Sequence, residues 1–180
     1  MGNLHSVAKA LEAAGGRVSV TSDPADIDRC DALCVPGQGV FGRCMSNVLA
    51  QGLDKLIEDW IASNKPYLGI CLGMQVLFDH SEEGGRLEGL GILSGPVRRL
   101  SNGIRIPHIG WNTLGEEYFY FDHSYAAFPH DEGIVEAWCE HGGRWAAAVR
   151  QDSILGVQFH PEKSGRAGIA LLTQWLGGEG

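Results

Sequence analysis

Apolar positions follow two rhythms along this chain. Leu4, Val7, Ala8 and Leu11 recur at helical spacing, with Asn3 as an N-cap and Gly15-Gly16 as the stop. Val18 and Val20 alternate within Arg17 to Thr21, which predicts a strand, and Ala32 to Val35 is a second short apolar run closed by Pro36-Gly37. Val48, Leu49, Leu53, Leu56, Ile57, Trp60 and Ile61 then form one long helical face. Tyr67 to Cys71 reads as a strand running straight into a helix over Leu72 to Phe78. This alternation of helices and strands is the rhythm of an α/β protein with a mainly parallel sheet.

The second half changes character. Val97 to Leu100, Gly103 to Ile106, Tyr118 to Tyr125, Ile134 to Cys139, Trp145 to Arg150 and Ile154 to Phe159 are short strand candidates. Asn102-Gly103 and Gly142-Gly143 suit tight hairpin turns. Such strands extend a parallel sheet at an antiparallel edge or build a small second sheet. A helix over Arg166 to Leu176 follows, and no repeat, linker or low-complexity tract interrupts the chain.

Composition narrows the function classes. A formal net charge of −8 with no basic run argues against nucleic acid or an anionic membrane as partner, because both recruit Lys and Arg. Five cysteines without scaffold-like spacing fit a reduced, cytoplasmic setting better than a disulfide framework. Residues 1–30 hold no charged segment followed by the apolar core of a signal peptide, and no apolar run reaches the roughly 18 residues of a membrane span.

Three segments carry chemistry. Gly69-Ile70-Cys71-Leu72-Gly73 lies between a strand and a helix and has the form of a nucleophile elbow with sulfur in place of oxygen. Flanking glycines allow a sharp turn, and the N-terminus of the following helix favours a thiolate. A lone cysteine is more often a buried packing residue; the elbow context reverses that reading. The second segment is His160-Pro161-Glu162. A thiol needs an adjacent base, Pro161 holds His160 extended, and residues two apart on an extended chain project together. Glu162 can then hold the imidazole tautomer that accepts the thiol proton.

The third is Pro36-Gly37-Gln38-Gly39. Gly37 to Gly42 spells the dinucleotide fingerprint, but that motif needs a helix starting inside the glycines, and the clear helical face begins only near Val48. A loop offering backbone N–H groups to an oxyanion beside Cys71 is the preferred reading, with a plain turn as the alternative. Cys30 and Cys34 lack partners at zinc spacing; with Cys44 and Cys139 they read as packing residues, and no metal or cofactor is expected.

Taken together, Pro36-Gly37-Gln38-Gly39, Gly69 to Gln75 and Gln158 to Glu162 resemble the triad-type, class I glutamine amidotransferases over nearly the whole chain. The resemblance implies that Cys71 attacks the side-chain amide of glutamine, with His160 as base and Glu162 as its orienting carboxylate. It places the thioester's oxyanion on backbone N–H groups of Leu72 and of Gln38-Gly39, and makes Gln75, Ser124 and Tyr125 glutamine-binding positions. Gly2 to Val7, Pro107 to Asn112, His123-Ser124-Tyr125 and His160 to Ser164 are similar to the glutaminase subunits of imidazole glycerol phosphate synthase.

That likeness implies a partner, a (β/α)8-barrel cyclase subunit, docked on a face holding Asn3, Trp111 and Lys163. The partner would use the ammonia in histidine biosynthesis to make imidazole glycerol phosphate and an aminoimidazole carboxamide ribotide. The fold implied is α/β, a flavodoxin-like, mainly parallel sheet flanked by helices, with an antiparallel extension in the C-terminal half, residues 1–180 forming one glutaminase domain. A glutaminase subunit of another synthase, an inactive regulatory homologue and a stand-alone cysteine peptidase are the competing readings.

Three features depart from the family pattern. Gln38 stands where a small or apolar residue is usual, and Asp122 replaces an apolar strand residue, on the face of Tyr118, Tyr120 and Ser124 opposite Phe119, Phe121 and His123. The chain also enters a helix by Leu4, where an α/β unit ordinarily begins with a strand. The expectation is that Met1 is internal to a longer chain, and that the sheet has a gap beside Ala32 to Val35 where a strand of about five or six residues would lie.

Overall fold

A computed structural model describes residues 2–100 and 103–178, with side chains from residue 4 onward. In chain order the elements are α1 (Gly2–Ala13), the single turn α2 (Pro24–Ile27), β1 (Leu33–Gly37), α3 (Phe41–Ala50), α4 (Leu53–Ala62), β2 (Tyr67–Cys71) and the single turn α5 (Leu72–Gln75). There follow β3 (Phe78–Ser81), β4 (Leu87–Glu88), β5 (Leu93–Arg99), β6 (His108–Leu114), β7 (Glu117–His123), β8 (Tyr125–Ala127), β9 (Val135–Glu140), β10 (Arg144–Gln151), β11 (Ile154–Val157) and α6 (Gly165–Gly177).

The sheet is mixed. β1, β2 and β11 run parallel, with Leu33 opposite Tyr67 and Ile154 opposite Tyr67 on the other side. From β10 onward the antiparallel extension expected of the second half takes over, in the order β11-β10-β8-β5, with β9 also on β10. β6 and β7 form a separate hairpin, the small second sheet that the sequence allows. Among the described residues β1 pairs only with β2, so its other edge is open beside Leu33 to Val35, where a gap is expected.

Strand alternation sends side chains into two cores. Leu68, Ile70, Leu155 and Val157 meet Val7, Ala10 and Leu11 of α1 and Leu172 and Trp175 of α6, together with Phe119 and Phe121 of the hairpin. On the other face Tyr67, Ile154 and Val149 meet Ile57 and Trp60 of α4. Each such large apolar side chain contributes about 1.5–3 kcal/mol on burial, so β2 and β11 are the best-anchored strands and the natural platform for a site.

Several elements differ from expectation, each for a physical reason. Arg17 to Thr21 is not a strand; it pairs with none of the described strands, and Val20 stays 63% exposed. The helical face from Val48 to Ile61 is two helices, broken at Gly52, which adopts φ +65°. The helix after Cys71 is one turn, not seven residues, before the chain extends again into β3. Asn3 lies inside α1 rather than capping it. Gly103 to Ile106 is not a strand, and Asn102 of the expected turn lies outside the described residues; Gly142-Gly143 does make the β9–β10 turn, with His141 N–H donating to the Gly143 carbonyl at 3.1 Å.

β6 escaped the pattern because its polarity is inverted. His108 is buried while Ile109 and Trp111 are 59% and 57% exposed.

The glycines that matter are those where elements touch. A Cβ on Gly73 would lie 1.7 Å from the Val35 carbonyl oxygen, and one on Gly37 would lie 2.5 Å from Leu72 Cβ. Gly177 at the end of α6 has open space and ordinary helical geometry. Gly73→Ala is therefore expected to destabilise the protein by about 3 kcal/mol or more, and Gly177→Ala to be neutral or stabilising by up to about 1 kcal/mol. Chemical denaturation of the two variants beside the parent checks both signs.

Candidate active site

Cys71 ends β2 with φ +55° and ψ −109°, a conformation that a side-chain-bearing residue adopts at a cost of about 1–3 kcal/mol. Neither Gly69 nor Gly73 has positive φ; the strain sits on Cys71 itself. The glycines serve close approach instead, since a Cβ on Gly69 would lie 2.5 Å from the Gly73 carbonyl oxygen. The backbone thus folds over itself at Cys71.

His160 follows β11, the strand beside β2. Its N–H donates to the Tyr120 carbonyl at 2.9 Å, and its carbonyl accepts from Ser164 Oγ at 2.6 Å. Ser164 Oγ also accepts from Tyr120 N–H at 3.0 Å, so the loop is clamped to the hairpin. The His160 and Glu162 side chains meet as the H-P-E spacing suggests, with Nδ1 of His160 2.8 Å from Oε1 of Glu162, both fully buried. Nδ1 faces a carboxylate, so it carries the proton and Nε2 is left as the accepting nitrogen. Oε2 of Glu162 has no hydrogen-bond partner among the described residues.

Cys71 and His160 line one cleft of about 400 Å³. Six other residues expected in the oxyanion hole or glutamine pocket line it with them: Gln38, Gly39, Leu72, Gln75, Ser124 and Tyr125. Trp111 does not; it is exposed on β6, beside Tyr120 at a ring separation of 6.0 Å. Lys163 lies near the cleft's rim, 3.8 Å from Asp122, which itself lines the cleft. Asp122 thus sits on a wet face with a cation opposite. The side chain of Asn3 lies outside the described residues.

Four further residues were given no site role from the sequence, although Pro107, His123 and Gln158 lie in the segments that carry the resemblance. Glu83 lines the cleft and its Oε2 accepts the Phe41 N–H at 2.7 Å. Helix α3 therefore begins inside the glycine span, seven residues before Val48, so the helix position does not exclude a dinucleotide loop as expected; the helix N-terminus instead already holds this carboxylate. His123 and Pro107 also line the cleft. Gln158 stands behind it, donating from Nε2 to Cys71 Sγ at 3.5 Å and accepting from Gln75 Nε2 at 2.8 Å.

Burial pushes the Cys71 thiol up to about 12, opposed by the Leu72 N–H that points at the sulfur. The negative charges of Asp122 and Glu162 add to the rise, and Lys163 opposes it. Burial thus favours the thiol over the thiolate expected from the helix N-terminus, because a one-turn helix has little dipole to set against complete burial. Cys34 is likewise pushed up to about 12, by burial and then by the charge of Glu162.

A family model for glutamine amidotransferase class I matches residues 1–176, and the chain belongs to this family. It is 42% identical over 189 residues to a protein named imidazole glycerol phosphate synthase subunit HisH from Rhodopirellula baltica, covering 97% of this chain and 92% of that one. A protein of the same name from Moorella thermoacetica is 43% identical over 185 residues, covering 96% and 88%. A solved structure described as a glutamine amidotransferase shares the fold, with a TM-score of 0.79 at 22% identity over 98% of this chain and 95% of that one. Among the described residues no helix is long and apolar enough to cross a membrane.

Because the thiol is neutral at rest, alkylation of Cys71 by iodoacetamide should be slow at pH 7 and rise with pH without a plateau below about pH 10. Mass spectrometry of the Cys71 peptide across a pH series measures this, and a plateau near pH 7 would contradict the burial argument.

Proposed function

We propose that this chain is the glutaminase subunit of an imidazole glycerol phosphate synthase, with residues 1–180 forming one glutaminase domain that works in the cytoplasm. The observation that carries the catalytic part is the strained Cys71 sharing one cleft with the His160–Glu162 pair. The particular synthase rests on the names of relatives identical at 42% and 43% over nearly the full chain.

The chemistry follows from the groups present. Glutamine enters with its side-chain amide carbon against Cys71 Sγ. Nε2 of His160 takes the thiol proton as sulfur attacks, which avoids forming a free thiolate in a buried site. The tetrahedral oxyanion accepts from the Leu72 N–H and from an N–H of Gln38 or Gly39. The imidazolium, held by Glu162, returns its proton to the leaving nitrogen, and the C–N bond breaks to give ammonia and a thioester. Water, deprotonated by the same imidazole, attacks the thioester and releases glutamate and the thiol.

Recognition uses complementary charge. Gln75 has committed both amide protons, to the Tyr125 carbonyl at 2.9 Å and to Gln158, so it meets substrate through Oε1. Glu83 supplies negative charge for the ammonium group of glutamine, and Ser124 and Tyr125 line the same cleft.

The partner is a (β/α)8-barrel cyclase that receives the ammonia and forms imidazole glycerol phosphate and aminoimidazole carboxamide ribotide. Its docking face includes Asn3, Trp111 and Lys163, and the exposed Ile109, Trp111 and Tyr118 of the hairpin supply apolar area for it.

Cys71→Ser should lower glutamine-dependent ammonia release more than about 1000-fold while leaving the fold intact, and the complex with the cyclase should still make product from added ammonium. Glu162→Gln should cost less, about 10- to 100-fold, since an orienting carboxylate acts through its histidine. Coupled glutamate and product assays read both. Substantial glutamate release by the serine variant would remove Cys71 from its role.

A further inference from the structure

A continuous chain of buried polar groups runs from the β6–β7 hairpin to Cys71, and the direction of every hydrogen bond in it is determined by its fixed points. Tyr125 contributes a carbonyl, which only accepts. His123 approaches it through Nδ1 at 2.9 Å, so that nitrogen carries the proton and Nε2 is an acceptor. Facing Nε2 at 3.2 Å is Nδ1 of His108, which must therefore be the donor. Nε2 of His108 is then an acceptor, and it meets Nδ2 of Asn112 at 3.4 Å.

The orientation of Asn112 is independently set. Its Oδ1 accepts the Thr113 N–H at 2.8 Å, and its other amide proton goes to Cys139 Sγ at 3.3 Å. The two ends of the chain thus impose the same tautomer on both imidazoles. Beyond Tyr125 the wiring continues, because Gln75 Nε2 donates to the same carbonyl and to Gln158, and Gln158 donates to Cys71.

We propose that His108 and His123 are positioning residues for glutamine binding: as a pair of neutral Nδ1–H imidazoles they hold the Tyr125 carbonyl, and through it the Gln75 and Gln158 amides, in register with Cys71. This deepens the glutaminase reading and rests on it. His123 in the other tautomer would set a lone pair against the Tyr125 carbonyl, and a protonated His123 would set N–H against the His108 N–H at 3.2 Å; a protonated His108 would set N–H against the Asn112 amide at 3.4 Å. Either would displace the wall that Gln75 and Tyr125 give the cleft.

The surroundings favour the neutral pair. Phe121 stacks on His108 at 4.9 Å, and the Trp145 ring lies 4.7 Å from His123. The titratable groups set around the pair are His141, stacked on His108 at 4.0 Å, Cys139 across Asn112, and His160. Burial, and then the neighbouring histidines, bring His108 down to about 4 and His123 to about 3.

Two measurements on the full chain test the proposal. The ¹⁵N–¹H spectrum of histidine-labelled protein should show both rings as neutral Nδ1–H tautomers at pH 7 and at pH 5.5. An Nε2–H tautomer or an imidazolium at either position overturns the wiring. The second compares His123→Asn, whose amide nitrogen falls near the Nδ1 position, with His123→Gln, whose amide falls near Nε2. Loss of one oriented bond predicts about a 10-fold rise in KM for glutamine in the Gln variant with kcat changed less than about threefold, and rescue of KM by Asn. An unchanged KM in a folded, active Gln variant overturns the positioning role. A parent protein without glutaminase activity removes the glutaminase reading itself, while the spectrum still judges the wiring.

Discussion

The backbone of β1 and the turn after β2 are in direct contact, and the rest of the site depends on that contact. Gly73 packs against the Val35 carbonyl and Gly37 against Leu72, distances at which no side chain fits. The turn between β2 and α5 is compressed as a result, and Cys71 is left at φ +55° with its sulfur in the cleft. Strain of this kind persists only where surrounding structure over-determines it. Here β2 is buried along its whole length and paired on both sides, by β1 and β11. The glycines that read in the sequence as permitting a sharp turn are a packing device that holds one residue out of shape.

The pairing of β11 with β2 sets the second half of the arrangement. It delivers Gln158, His160 and Glu162 to the same end of the sheet as Cys71, and the hairpin then locks the His160 backbone through Tyr120 and Ser164. Polar groups are buried here at a density that an apolar core would not tolerate. They persist because nearly every one is paired: Gln75, Gln158, His108, His123 and Asn112 satisfy one another in one connected run. A network of this sort is stabilising only when complete, which is why a single tautomer error is costly. Burial also pushes the Cys71 thiol up, so the proposed chemistry moves its proton to His160 at the moment of attack rather than drawing on a standing thiolate.

What the sequence determined by itself was local and short-ranged. The strand–Cys–helix junction, the His160-Pro161-Glu162 geometry and the β strands flanking Gly142-Gly143 follow from neighbours a few residues apart, where spacing and glycine chemistry act directly. The polar face of Asp122 followed from strand alternation alone. Tertiary structure decided the rest. Val18 and Val20 alternate like a strand but pair with none of the described strands, and β6 carries Ile109 and Trp111 outward because His108 and Asn112 hold its inward places in a polar network. The break at Gly52 and the one-turn helix after Cys71 depend on what each segment must pack against. Glu83 gave no signal, and His123 and Gln158 stood in recognised motifs without a role of their own, since these roles come from partners distant in the chain: Glu83 meets Phe41, and Gln158 meets Cys71. A long-range hydrogen bond leaves no periodicity in a sequence, because only folding brings its two ends together.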